Sequence, residues 1–194
     1  MEEQAENVPY KLVEIEGKGR GLVATKDLEV GDLVFKEKAF LRLPTKAPEA
    51  FYEAAFSSLE PSIQSKLMNL HPVHSEFLQG YFANCSSGLL RSKILQAKFN
   101  ANCFEVKDDA APVQEAAVFE MLSMINHSCE SNVMWFAEEV DKTKIEVRVC
   151  RKIKEGDEIV LSYIISLSKV GSCFPLRQQR MDKLRLWGFE CRCS

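Results

Sequence analysis

"INHSCESN", residues Ile125 to Asn132, sets an amide, an imidazole, a hydroxyl and a thiol side by side, behind the apolar run Val118 to Ile125. Three chemistries could use these groups. A nucleophile site is the weakest of them. A Cys/His couple normally draws its two members from separate parts of a chain, where geometry can be tuned, whereas His127 and Cys129 are near neighbours. A metal site is better supported, because Cys129 could join Cys191 and Cys193, whose Cys-x-Cys spacing lets both thiolates reach one zinc. Three free, partly buried thiols in a reducing cell account for the same residues equally well. Asn126 and His127, read as lying at a helix end, carry polar groups suited to fixing a polar ligand.

Working outward, the apolar spacing predicts a helix over Val113 to Met124 that delivers the motif at its C-terminal end. Downstream, Val133 to Ala137 and Ile145 to Cys150 alternate as strands, joined by a turn at Asp141 to Lys144. Ile159 to Tyr163 reads as a buried strand. Tyr163 follows a Gly-Asp turn and precedes a loop containing Gly171 and Pro175, so it is expected to face a pocket. Leu176 to Trp187 reads as a last helix, followed by "FECRCS".

Upstream, Asn102 to Val106 has strand texture. Between about Ala47 and Phe99 the apolar residues fall at helical spacing, with Ala50, Ala54 and Leu59 as one set and Ile63, Leu67 and Leu70 as another. Pro61 starts the second helix. Further sets follow at Phe77, Leu78, Tyr81 and Phe82, and at Leu89, Leu90, Ile94 and Leu95; these aromatics are expected to be core. Leu33 to Leu43 reads as one strand ended by Pro44. Tyr10 to Ile15 is another, and "EGKGRGLVAT" then places three glycines in five residues, a tight turn that lets backbone approach something closely. It fails the phosphate-loop pattern, since no Lys-Ser/Thr follows at the right offset. "TKDLEVGDLVF" (Thr25 to Phe35) echoes "CRKIKEGDEIVL" (Cys150 to Leu161), each predicting strand, Gly-Asp turn, strand.

The 194 residues suit one domain, or one domain with an inserted subdomain. A net charge of −3 gives no broad attraction to nucleic acid, so none is expected as a partner. No stretch is apolar and long enough to span a bilayer, and the acidic start is not a signal peptide. A reducing compartment is therefore expected, with the seven cysteines read as core residues, ligands or thiols and not as disulfides.

In order along the chain, "GRGL", "ANCFEV", "NHSC" with Glu-Ser-Asn, "GDEIVLSY" and "WGFECRC" resemble the SET-domain protein lysine methyltransferases. The likeness is nearest to the branch that also carries MYND zinc fingers, and it covers residues 10 to 193. It implies a β-rich α+β fold of short twisted β-sheets with a pseudoknot-like core. The organisation it implies is a tail at 1–9, an N-terminal SET part at 10–46, and a helical insert at 47–100. A C-terminal SET part at 101–174 and a post-SET segment at 175–194 follow. No MYND insertion interrupts Lys36 to Pro44, and a helical C-terminal domain after the post-SET cysteines is not expected.

The resemblance further implies methyl transfer from S-adenosylmethionine, with S-adenosylhomocysteine as product, onto a lysine of a histone or non-histone protein. Lys18, Gly19 and Arg20 match the cofactor loop, and Asn102 a contact to the cofactor's amino-acid part. Asn126 and His127 match contacts to adenine and ribose, largely through backbone. Tyr163 matches the catalytic tyrosine. Phe104 and Trp187 match aromatics of the lysine channel, and Phe189 one that packs on adenine. Cys129, Cys191 and Cys193 match three of the four usual ligands of a structural zinc, the usual pattern being Cys-x-Cys-x-x-Cys. A monomer acting in nucleus or cytoplasm is expected, with a lysine-bearing protein or peptide as partner and no membrane. A catalytically silent SET domain serving as a binding module is the alternative. The chemistry suits the motif: a free lysine with a pKa of about 10.4 must lose its proton before it can attack. A narrow aromatic channel beside a sulfonium charge favours that loss.

Overall fold

The chain splits into two compact units, Met1–Lys38 with Met124–Ile165 and Cys193, and Ala39–Ser123 with Ser166–Arg192 and Ser194. The computed structural model describes residues 8–71, 88–106, 112–164 and 177–193 of them.

In the first unit, β1 (Tyr10–Ile15) and β2 (Gly19–Ala24) form an antiparallel pair around the glycine turn. β3 (Leu33–Lys38) joins β9 (Lys144–Val149) and β8 (Val133–Ala137) in a second sheet, in the order β3-β9-β8. The first sheet is completed by β10 (Glu158–Leu161) beside β2 and by the two-residue β7 (Asn126–His127), which pairs parallel to β10. Leu22, Val133, Ile145, Val147 and Ile159 are fully enclosed between these strands.

The Gly-Asp echo is a structural repeat. Leu28 and Ile153 bridge each other through two backbone hydrogen bonds of 2.8 and 3.1 Å. Gly31 N–H donates to Val149 C=O at 2.8 Å, and Gly156 N–H donates to Ala24 C=O at 3.0 Å. Returning bonds run from Val149 N–H to Asp32 C=O and from Ala24 N–H to Asp157 C=O. Each residue of the first turn thus plays the part of the residue 125 positions later, a local two-fold that pairs β2 with β10 and β3 with β9. Both glycines need positive φ (94° and 89°), which only glycine adopts without strain. Both aspartates close their turn, Asp32 accepting from Glu29 N–H and Asp157 from Lys154 N–H. Charge is divided between the halves: Asp27 and Glu29 face Lys154 and Lys152.

In the second unit, β4 (Leu41–Pro44), β6 (Glu115–Val118) and β5 (Cys103–Val106) form a sheet in the order β4-β6-β5. Among the described residues, three α-helices precede β5: α1 (Glu49–Ser57), α2 (Pro61–Met68) and α3 (Gly88–Asn102). α2 has its proline at the first turn, where the missing N–H costs nothing. α4 (Arg177–Leu184) and a 3-10 turn (Arg185–Trp187) supply the last helix expected.

Three expectations are corrected. Val113 to Met124 is not a helix: it is the strand β6, then a 3-10 turn at Leu122–Met124. Its alanines carry helical propensity, but Ala116 to Val118 are enclosed as the middle strand between β4 and β5, and pairing on both edges outweighs propensity. Leu33 to Leu43 is two strands in two different sheets, β3 and β4, broken at Ala39 and Phe40. On α1 the buried face is Tyr52 and Phe56, while Ala50 and Ala54 are exposed. The larger rings remove more apolar area from water, and Tyr52 packs edge-on against Phe99 of α3 at 5.6 Å. The sets at Phe77 to Phe82 and the loop at Gly171 and Pro175 lie outside the described residues, as do the side chains of Leu89 and Leu90.

Candidate active site and thiol cluster

In the first unit the opening motif wraps β10. Val160 pairs with Asn126 and Leu161 with His127. Past that short strand, Ser128 N–H donates to Leu161 C=O at 3.0 Å, and Asn132 N–H to Val160 C=O at 3.1 Å. The Asn132 side chain does more: Oδ1 accepts Val160 N–H at 2.8 Å and Nδ2 donates to Glu158 C=O at 2.9 Å. Its amide thus supplies hydrogen bonds that a neighbouring strand would otherwise give. Sequence reading assigned no role to Asn132. An Asn three residues past a cysteine has no local pattern, since its partners lie some 28 positions away.

Asn126 and His127 therefore sit in a parallel strand pair and not at a helix end. Asn126 is half-buried, and its Nδ2 donates to Arg20 C=O at 3.1 Å and to Glu158 Oε1 at 2.9 Å. The other Glu158 oxygen pairs with Lys18 Nζ at 2.5 Å. Lys18, Arg20, Asn126 and Glu158 form one network that fastens the glycine turn to the motif. Gly21 is the close approach that the glycine density foretold. A Cβ there would stand 2.4 Å from Ile15 Cδ1 and 2.6 Å from Asn126 Nδ2. What approaches is the chain's own asparagine. With Nδ2 committed to two acceptors, Asn126 presents its Oδ1 as an acceptor.

Tyr163 is held at both ends by the same segment. Its hydroxyl donates to Ile125 C=O at 2.8 Å, and its backbone N–H donates to His127 Nδ1 at 3.1 Å. The two rings stand 5.2 Å apart. Burial of the hydroxyl, and then the negative charge of Glu158, push the phenol well above its ordinary pKa of 10. It is a neutral O–H donor throughout the physiological range, not a general base.

Beside them lies a thiol cluster. His127 Nε2 is 3.4 Å from Cys129 Sγ. Cys129 N–H donates to Cys193 Sγ at 3.4 Å, and Ser128 Oγ lies 3.8 Å from the same sulfur. The donor atoms of His127, Cys129 and Cys193 all fall within 4.8 Å of one another. Zn–S bonds of about 2.3 Å in a tetrahedron place sulfurs roughly 3.8 Å apart, so the spacing suits a metal ion. Cys191, buried and two residues before Cys193, belongs to the second unit.

The second unit gathers other expected residues around the end of α3. Asn102 is buried and its Nδ2 donates to Lys98 C=O and to His71 C=O, both at 2.7 Å. Phe104 packs edge-on against Phe119 at 6.3 Å. Trp187 Nε1 donates to Ala101 C=O at 2.9 Å, fixing that ring beside Asn102 in the chain. Phe189 is half-buried and follows Gly188, whose φ of 77° ends the 3-10 turn. Cys103 in the same region is half-buried, and desolvation pushes its thiol up to about 12.

Comparison with known proteins bears on the whole chain. A family model described as SET domain matches residues 19–164. The N-lysine methyltransferase SMYD2 of Mus musculus is 33% identical over 132 residues, covering 68% of this chain and 27% of that protein. The histone-lysine N-methyltransferase set5 of Schizosaccharomyces pombe is 25% identical over 186 residues, covering 95% of this chain and 49% of that protein. The chain thus spans between about a quarter and a half of the length of these relatives.

Proposed function

The chain belongs to the SET-domain family, and on that premise we propose that it is a protein-lysine N-methyltransferase that uses S-adenosylmethionine. When bound, that cofactor supplies a methyl group on a sulfonium, open to in-line displacement by a neutral amine. Lys18, Gly19, Arg20, Asn102, Asn126, His127 and Phe189 are the residues proposed to hold it. The residues present fit such a group: a turn carrying Lys18 and Arg20 and an amide whose Oδ1 is an acceptor suit the charged, polar ends of a cofactor of this type.

The observation that carries the reading is the placement of Tyr163. Its hydroxyl is fixed at 2.8 Å on a backbone carbonyl of the motif strand. A phenol held neutral and immobile can orient an incoming amine without becoming a covalent partner. Alignment of this kind contributes several kcal/mol, up to about 7–11 in good intramolecular cases. Phe104 and Trp187 are the proposed aromatics of the lysine channel. Mouse SMYD2 and fission-yeast set5 bear the names of lysine methyltransferases, which favours an active enzyme over a silent binding module. The substrate is a lysine-bearing protein, histone or not, reached as a monomer in nucleus or cytoplasm. One zinc on Cys129, Cys191 and Cys193 completes the proposal.

Transfer of a labelled methyl group from S-adenosylmethionine to a pool of histones and cell proteins tests it. Transfer is expected for the native sequence, with a loss of about a hundredfold or more in Tyr163→Phe while cofactor binding by calorimetry persists. Binding without transfer in the native sequence would instead favour the binding-module reading.

A further inference from the structure

Two contacts of the His127 ring bear on which of its nitrogens carries the proton. A backbone N–H can only donate. Tyr163 N–H points at Nδ1 at 3.1 Å, so Nδ1 presents its lone pair. A neutral imidazole then has its hydrogen on Nε2. Nε2 lies 3.4 Å from Cys129 Sγ, and the contact is an N–H···S hydrogen bond from ring to sulfur.

This polarity is opposite to that of a metal-bound histidine. A histidine ligand gives a lone pair to the ion and donates its other ring N–H to a carbonyl, carboxylate or water. Were Nε2 to coordinate an ion shared with Cys129 and Cys193, Nδ1 would carry a hydrogen aimed at the Tyr163 N–H. With that polarity His127 stands beside the two sulfurs, all donor atoms lying within 4.8 Å, as a hydrogen-bond donor.

We propose that His127 is a positioning residue that ties the thiol cluster to Tyr163: its Nδ1 holds the tyrosine's backbone N–H and its Nε2–H donates to the Cys129 sulfur. The ring is nearly enclosed, so it has little room to turn without moving both partners. Tyr163 is anchored again through its hydroxyl to Ile125 C=O, two residues before His127. Both ends of the tyrosine thus rest on a three-residue segment, and one of the two anchors is braced by sulfur. A cluster held in place by a metal keeps the ring, and through it the tyrosine, in register. A displaced Cys129 sulfur frees both. The effect on turnover rests on Tyr163 being the catalytic group, as proposed above; the direction of the ring's hydrogen bonds does not.

Two arms separate these. In the first, the 194-residue chain labelled with ¹⁵N-histidine is observed by long-range ¹H–¹⁵N correlation, with and without one equivalent of Zn²⁺. His127 is assigned by its absence in His127→Gln. An unprotonated Nδ1 and a protonated Nε2 are expected in both samples. A protonated Nδ1 with a metal-bound Nε2 after zinc addition overturns the proposal. In the second arm, two variants each keep one half of the ring's bonding. His127→Asn keeps an acceptor near Nδ1 and drops the donor to sulfur; His127→Gln keeps a donor near Nε2 and drops the acceptor.

The expected result is a crossover. His127→Asn weakens Zn²⁺ binding about tenfold or more in competition with a chromophoric chelator, with the smaller fall in kcat. His127→Gln holds zinc within a few-fold and loses about tenfold or more in kcat, with KM for peptide little changed. Equal losses of both properties in both variants would make the ring a mere structural filler and sink the idea. If the native sequence transfers no methyl group, the proposed activity fails, while the first arm and the zinc titration still decide the ring's role.

Discussion

Tyr163 shows how much a single side chain depends on what encloses it. Burial and the charge of Glu158 raise its pKa, so the folded state favours the neutral phenol more than the unfolded chain does. That contribution to stability is complete below the unfolded pKa of about 10 and is lost as pH rises from there toward the folded value. The urea-midpoint difference between the native sequence and Tyr163→Phe is therefore expected to hold constant up to about pH 9 and to shrink above 10. A difference independent of pH through 11 would contradict the burial of the hydroxyl. Gly21 and Asn132 act at the same scale. The first leaves room for Asn126, and the second closes the loop around β10 by two hydrogen bonds, at 2.8 and 2.9 Å. Neither was legible as functional in the sequence, because a glycine in a strand and an asparagine after a turn are both common where nothing special is required.

Elements in the first unit are organised by the repeated Gly-Asp turn. Its two copies pair β2 with β10 and β3 with β9, and the Leu28–Ile153 bridge is the point on which both depend. Leu28 and Ile153 are almost wholly enclosed, at 2% and 1% exposure, so truncation leaves a cavity where two sheets are joined. Leu28→Ala and Ile153→Ala are each expected to cost about 2–5 kcal/mol in urea unfolding. Because they share one cavity, the double variant is expected to cost less than the sum by about 0.5 kcal/mol or more. Strict additivity would show that the turns are stabilised independently. The echo was visible as sequence, yet a reused turn explained it sufficiently; only the cross-bonding of the copies shows that they serve as each other's partners. The helix expected over Val113 to Met124 failed for a related reason. Alanine-rich apolar runs fit either element, and what settles them is whether two strand edges stand open on either side.

At the scale of the whole molecule, the chain passes from one unit to the other and back, so the candidate residues fall in both. Lys18, Arg20, Asn126, His127 and Tyr163 belong to the first unit; Asn102, Phe104, Trp187 and Phe189 belong to the second. The cysteines of "FECRC" straddle this division, with Cys191 in the second unit and Cys193 in the first. A zinc held at the thiol cluster of the first unit would add its binding free energy to folding. The zinc-loaded protein is accordingly expected to melt several degrees above the same protein in excess chelator, with a Tm that rises with free zinc. An unchanged Tm across that range would remove Cys129, Cys191 and Cys193 as metal ligands. Among the described residues no helix is long and apolar enough to cross a membrane.

By itself the sequence determined the order of motifs, the strands flanking each Gly-Asp turn, the helical texture between Ala47 and Phe99, and membership of the SET-domain family. These rest on local rules: alternation sets a strand's faces, glycine permits positive φ, proline starts a helix, and a motif keeps its residue types. Tertiary structure alone decided that Ala116 to Val118 are a central strand, that Leu33 to Leu43 serves two sheets, and that Asn132 locks β10. It also gave the His127 ring its direction, toward Tyr163 on one side and Cys129 on the other. Each of those outcomes depends on a partner tens of residues away or on which atom of a neighbour is a donor. No local pattern of side chains carries that information, because hydrogen bonds and burial are properties of pairs brought together in space.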